Sequence, residues 1–194
     1  VVSDSVFEVM EYPIALEEDN YKKKELETDT KPQRNWTAVA DSDRGLAIIA
    51  PGQYETAVSD DPDREVKLTL FRSTRRTVMT SGEPNGQLLK LLKFKYWIMP
   101  FSGQADYFKL FNEADYLANG IKSIHLRKQD IDINASQISK TLPVQQGHIC
   151  VDNAVLTSFR RHEGSLQLRI FNPCKIEQSA EIKLLSTEMR KFKS

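Results

Sequence analysis

Among the residues able to do chemistry, the three histidines, His125, His148 and His162, come first, because imidazole binds metals and moves protons near neutral pH. They stand far apart, and none has a second ligand at the spacing a metal site needs, so each reads as a surface or turn residue. The 27 acidic side chains allow many spatial pairs suited to acid–base work on a glycosidic bond, and spacing alone selects none of them. Asp60, Asp61 and Asp63 surround Pro62 without the alternating oxygen ligands and closing glutamate of a calcium loop, and they read as a turn. Arg72, Arg75 and Arg76 admit two readings, an anion clamp or a solvated sheet edge, and the edge is the simpler. No nucleophile elbow, phosphate loop or dinucleotide fingerprint occurs. Bottom-up, the chain supplies no catalytic, cofactor-binding or metal-binding residue, and its substrate-binding residues are undetermined.

The elements that would position these groups are mostly strands. The clearest is the stretch 153–173, NAVLTSFRRHEGSLQLRIFNP, whose second arm alternates Leu166, Leu168 and Ile170 with Gln167, Arg169 and Phe171. Between its arms, His162-Glu163-Gly164-Ser165 has the length and chemistry of a hairpin turn with a positive φ near Gly164. A second hairpin is expected at 36–50, where the Asp41-Ser42-Asp43 turn precedes a nearly continuous apolar strand ended by Pro51-Gly52. Further strands are expected at 6–12, 54–58, 65–72, 121–126, 131–134, 147–151 and 176–185. A long strand is expected over 88–99, ended by Pro100.

One helix is expected at 105–119, because Tyr107, Phe111, Ala114 and Ala118 recur at helical steps and Gly120 follows as a terminator. Its aromatic cluster, Tyr107, Phe108, Phe111 and Tyr116, reads as packing on a sheet, with a sugar platform as the alternative. The charged stretch 17–31, with Lys22, Lys23 and Lys24 among glutamates and aspartates, reads as a solvated loop or surface helix rather than a basic docking patch. Many short strands, frequent turns and one helix predict a large antiparallel β-sandwich, and the length, 194 residues, suits a single domain spanning 1–194.

Composition narrows the partners. The 27 basic side chains balance the 27 acidic ones, which removes the electrostatic argument for nucleic acid or a membrane surface. No apolar run approaches the roughly 18 residues of a membrane helix, so a soluble chain is expected. Cys150 and Cys174 flank the 153–173 hairpin; a disulfide is conceivable, but free thiols in a reducing, cytoplasmic compartment are the expectation. The sequons at Asn35 and Asn134 are short patterns that arise often by chance. The chain begins Val1-Val2, which suggests a piece excised from a longer protein.

Several stretches together resemble a known family. Phe7-Glu8-Val9 with Pro13-Ile14, then PQRNWTAVADSDRGLAIIAPGQYE at 32–55, then LTLFRS at 68–73, resemble the C-terminal region of the α-mannosidases of glycoside hydrolase family 38. YWIMPFSG at 96–103 and VLTSFRRHEGSLQLRIFNP, which closes on Arg169-x-x-Asn172-Pro173, continue the match in the same order. The resemblance implies a supersandwich of the galactose-mutarotase-like kind. It also implies a parent that is a retaining zinc-dependent glycosidase acting on terminal α-mannosidic bonds, with its zinc, Asp nucleophile and acid/base carboxylate in an N-terminal domain. None of the zinc or nucleophile motifs stands in this chain, so no catalytic residue carries over, and no cofactor is expected here.

The implied role is that of an accessory C-terminal domain supporting a catalytic domain elsewhere. Its implied partners are the catalytic and helical domains of the same chain and the parent's mannoside substrate; whether a second copy joins in a homo-oligomer is left open by the sequence. The alternative is a carbohydrate-binding module with Trp36, Trp97 or Tyr107 as stacking platforms.

Overall fold

In the computed structural model of the chain, the structure describes residues 1–15, 29–73, 89–120 and 149–184. The chain divides into two compact units, Val1–Ala118 and Asn119–Ser194. Every strand pair among the described residues is antiparallel. The fold is mainly β, with one helix among the described residues, as the spacing of apolar residues predicts.

The first unit is built on two sheets. Strands β1 (Val2–Asp4), β2 (Val9–Glu11), β4 (Trp36–Ala40), β5 (Arg44–Ile49) and β8 (Trp97–Ser102) form a five-stranded sheet in the order β2-β1-β4-β5-β8. Strands β3 (Thr30–Pro32), β6 (Glu55–Val58) and β7 (Val66–Leu68) form a three-stranded sheet in the order β3-β6-β7. The expected 36–50 hairpin forms residue for residue from Trp36↔Ile49 to Ala40↔Gly45. Its turn is set by Asp41, whose carboxylate accepts the backbone N–H of Asp43 and of Arg44, each at 2.8 Å. Those bonds hold its carboxyl below the usual carboxylate range. Ala47, Ile48, Ile49 and Ala50 are all buried, which is what a strand covered on both faces requires.

Gly45 is fixed by its neighbour across the sheet. A Cβ at this position would overlap the ring of Phe101, the residue it pairs with on β8. The ring lies over the bare backbone and covers what glycine leaves open.

Helix α1 (Tyr107–Asn119) starts where Asp106 accepts the backbone N–H of Lys109 at 3.0 Å, an N-cap, and is followed by Gly120 with φ of 62°. Leu110, Phe111 and Ala114 are its buried residues. Ala118, expected on that face, is exposed in the last turn.

The second unit carries the hairpin expected at 153–173. Strands β10 (Val155–His162) and β11 (Ser165–Phe171) pair from Val155↔Phe171 to His162↔Ser165, with an irregularity between Leu156 and Ser158. Glu163 and Gly164 both have positive φ, 48° and 76°, as a two-residue hairpin turn of the primed kind demands. Leu166, Leu168 and Ile170 face one way as expected and are half-buried, while Ala154, Val155 and Pro173 are buried. Strands β9 (Ile149–Asp152) and β12 (Glu181–Leu184) form a separate pair.

Four strand expectations change. The strand expected over 6–12 shortens to β2, and β1 precedes it. The strand expected over 65–72 narrows to β7, and that over 176–185 to β12. The strand expected over 88–99 begins only at Trp97 and runs through Pro100 to Ser102. The alternation at 92–96 finds no partner, because β5 ends at Ile49, opposite Trp97. Pro100 is tolerated because β8 is an edge strand of its sheet among the described strands. The strands expected at 121–126 and 131–134 lie outside the described residues, as do most of the charged stretch 17–31 and Arg75 and Arg76. No helix among the described residues is long and apolar enough to cross a membrane.

Candidate functional site

The densest set of buried polar groups lies in the first unit, where the chain leaves the three-stranded sheet after Pro32 and enters the five-stranded sheet at Trp36. Asp4, at the end of β1, is 2% exposed, and its Oδ1 accepts three consecutive backbone N–H groups: Arg34 at 3.0 Å, Asn35 at 2.7 Å and Trp36 at 2.8 Å. A chain that turns from one sheet into another leaves amides without ladder partners, and one carboxylate oxygen supplies them all. Burial pushes the Asp4 carboxyl above its ordinary range, with the three amides pulling the other way. Its Oδ2 is buried without a hydrogen bond among the described residues.

The same crossing is held from the other side. Gln33 donates from Nε2 to the carbonyl of Gln53 at 2.7 Å, and its Oε1 accepts the Thr37 hydroxyl at 2.6 Å. The Thr37 and Thr56 hydroxyl oxygens are 3.0 Å apart. A hydroxyl has one proton; Thr37 gives its own to Gln33, so Thr56 must donate to Thr37. Ser3 Oγ adds a bond to the Pro32 carbonyl at 2.9 Å. These groups join β4 of one sheet to β6 of the other through polar contacts that are fully paired at Thr37.

Trp36 closes the cluster. It is 0% exposed, stacked on Tyr107 at 6.1 Å between ring centroids and met edge-on by Phe111 at 5.4 Å. Both partners belong to α1, so the helix docks on β4 through this indole. Asp115 on the same helix has its carboxyl raised by burial, opposed by the charge of Arg34.

The chemistry open to this arrangement is structural. A nucleophile or acid must reach a substrate, and Asp4, Thr37, Thr56 and Trp36 are closed to solvent. Trp36, proposed from sequence as a stacking platform, cannot serve as one, because both α1 rings cover it. Tyr107 is half-buried against it, and Trp97 lies 36% exposed on β8. Within the aromatic cluster of α1, Phe111 packs inward and Tyr116 is exposed, the packing reading of that helix.

The remaining candidates separate. Arg72 grips Glu55 with three hydrogen bonds, two from Nη2 at 2.6 and 2.7 Å and one from Nε at 3.2 Å, and Thr69 donates to the same carboxylate at 2.6 Å, holding its carboxyl below the usual range. That is a clip between β6 and the chain after β7, the edge reading of this arginine. Asp60 pairs with Arg64, within the turn expected at 60–63. His162 stands exposed in the hairpin turn, 3.7 Å from Glu163, while His125 and His148 lie outside the described residues. Cys150 and Cys174 are not joined in a disulfide. Asn35 and Thr37 of the first sequon are buried, so the folded chain offers no acceptor there, and the second sequon lies outside the described residues.

Among the described residues no group of three or more His, Cys, Asp or Glu side chains converges as metal ligands would. A cleft lined by Tyr12, Lys31 and Thr56 has about 10 Å³ of space for the centre of a water-sized sphere, room for a single water and no sugar ring. Sequence reasoning missed Asp4, Gln33 and Thr56. An isolated aspartate before a turn and a threonine inside a strand carry no spacing signal, because their partners are distant in sequence.

Comparison with known proteins gives a fold relationship. The chain is similar to a protein in the glycosyl hydrolase family 38 from Enterococcus faecalis, with a TM-score of 0.66, 19% identity, and coverage of 94% of this chain and 20% of that one. It is likewise similar to an alpha-mannosidase from Enterococcus faecalis V583, with a TM-score of 0.70, 19% identity and the same coverages, 94% and 20%. The chain thus spans about a fifth of the length of the solved structures it matches. At this level of identity the likeness establishes a shared fold. No family model matches the sequence, and no curated protein matches it.

Proposed function

We propose that this chain is the accessory C-terminal β region of an α-mannosidase of glycoside hydrolase family 38, and that it supports a catalytic domain lying elsewhere in a longer polypeptide. The coverage carries the reading: 94% of the chain superimposes on one fifth of an alpha-mannosidase, so the shared fold is a part of such an enzyme. The ordered motifs at 32–55, 68–73, 96–103 and 153–173 point the same way, and two of them form the Trp36 hairpin and the β10–β11 hairpin.

The buried groups described above also support a framework role. Asp4, Gln33, Thr37 and Thr56 are all consumed in joining two sheets. The zinc and the carboxylate pair of a retaining mechanism belong, in this reading, to the catalytic domain of the parent. The parent works in the cytoplasm, where Cys150 and Cys174 stay reduced.

The test is hydrolysis of an aryl α-mannoside, with and without added zinc, by the full natural polypeptide and by the 194-residue chain. Zinc-dependent turnover is expected from the full polypeptide and none from the chain alone. Turnover by the chain alone, or a full polypeptide inert on every α-mannoside tried, overturns the proposal.

A further inference from the structure

Of the eleven large apolar side chains exposed among the described residues of the first unit, five lie in the stretch 89–98, and the two most exposed of all, Leu89 and Leu91, are among them. Leu89 is 98% exposed, Leu91 84% and Ile98 59%, with Tyr96 also open to solvent. Ordinary surfaces scatter such residues singly, whereas a contiguous run marks a contact. Residues 89–96 adopt no helix or strand, and they lead directly into β8, which ends its sheet among the described strands. The charge is equally lopsided. Lys90, Lys93 and Lys95 stand in a run from Leu89 to Ala105 that holds no acidic residue, in a chain whose 27 basic and 27 acidic groups otherwise balance.

We propose that residues 89–98, with the outer edge of β8, dock the rest of the longer polypeptide through an apolar strip rimmed by carboxylates. The inference rests on the accessory-domain reading given above. Two observations choose this occupant. The solved structures that share the fold carry it as a fifth of their length, so four-fifths of a chain of that kind is on hand to supply the cover. A second copy is disfavoured by charge, because a two-fold contact through this strip would set Lys90, Lys93 and Lys95 against their own symmetry mates. An acidic rim neutralises them while the leucines and Ile98 leave water.

The experiment places a photo-cross-linking p-benzoylphenylalanine at Leu91, or at Ile98, in the full natural polypeptide. Exposed Glu113 on α1 serves as the control position. Cross-linked peptides are identified by mass spectrometry after mixing isotope-labelled and unlabelled copies. Leu91→p-benzoylphenylalanine and Ile98→p-benzoylphenylalanine are expected to join peptides of the same molecule outside these 194 residues, at least tenfold above the control. Products confined to other residues of this chain, such as 74–88 or 121–148, overturn the docking, as do products between two copies or yields equal to the control.

Hydrolysis of an aryl α-mannoside by the same preparations keeps the two ideas apart. An active polypeptide without the cross-link sinks the docking strip and leaves the accessory reading standing. A cross-linked polypeptide inert on α-mannosides does the reverse.

Discussion

Replacing Asp4 tests the account of the sheet crossing most directly. Its Oδ1 serves three amides, of which those of Asn35 and Trp36 are buried. Asp4→Ala leaves these two N–H groups without an acceptor, at about 1–3 kcal/mol each, so a loss of about 2–6 kcal/mol is expected. That is a large part of the roughly 5–15 kcal/mol that holds a domain folded. Asp4→Asn keeps an oxygen in the Oδ1 position and removes the buried charge, at the expense of an amide group where Oδ2 has no partner; a change within about 2 kcal/mol is expected. Urea unfolding followed by tryptophan fluorescence measures both, because Trp36 and Trp97, the two tryptophans, lie in the first unit.

The pH dependence gives a second, independent readout of the same residue. Burial raises the folded-state carboxyl above its reference value of 3.8, so the folded state binds this proton more tightly than the unfolded state does. The Asp4 contribution is therefore fully present below 3.8 and is lost as pH rises through the raised folded value. The stability of the wild-type chain minus that of Asp4→Asn should fall across that window and then level off. An Asp4→Ala chain as stable as Asp4→Asn would refute the anchoring role, and a difference flat in pH would refute the raised carboxyl.

Other substitutions probe the remaining joints. Trp36→Ala removes the indole between β4 and α1 and should cost about 3–5 kcal/mol, whereas Trp97→Ala at the more exposed edge should cost well under half of that, both read from urea midpoints. Gly45→Ala drives a methyl into the Phe101 ring and should destabilise by about 1–3 kcal/mol; Phe101→Ala in the same chain should relieve part of that penalty in a double-mutant cycle. The Glu55–Arg72 clip is more than a quarter exposed on the acid and mostly exposed on the base, so Glu55→Gln should cost no more than about 1 kcal/mol. Because the folded-state carboxyl of Glu55 lies below its reference of 4.5, the clip's contribution is present above that value and fades as pH drops through the folded one. Gly164→Ala forces a side chain into a φ of 76° and should weaken the β10–β11 hairpin by about 1 kcal/mol, seen as faster amide exchange at Arg161 and Leu166.

What the sequence disclosed follows the range of the interactions involved. The 36–50 and 153–173 hairpins were legible because turn and strands are adjacent, so Asp41 and Gly164 announce the turn and period-two alternation announces its arms. The helix was legible for the same reason, apart from Leu110, which lies beside the apolar row that the spacing picked out. Residues 89–96 show where local pattern fails. Leu92 and Phe94 alternate with lysines as a strand should, but a strand exists only where a partner runs beside it, and β5 stops at Ile49. The polar joint was illegible throughout, since Asp4 meets Asn35 and Trp36 from 31 and 32 residues away and Thr37 meets Thr56 from 19. Nothing in a threonine's neighbours says that its hydroxyl faces another threonine across two sheets.

The family resemblance came from the same local features, turn residues and alternating strands. It therefore reports the frame that such features build and carries no direct word about chemistry. The legible motifs are two hairpins and a helix, and the buried Oδ1 of Asp4 and the hydroxyls of Thr37 and Thr56 are spent on backbone amides, on Gln33 and on each other, so these groups serve shape.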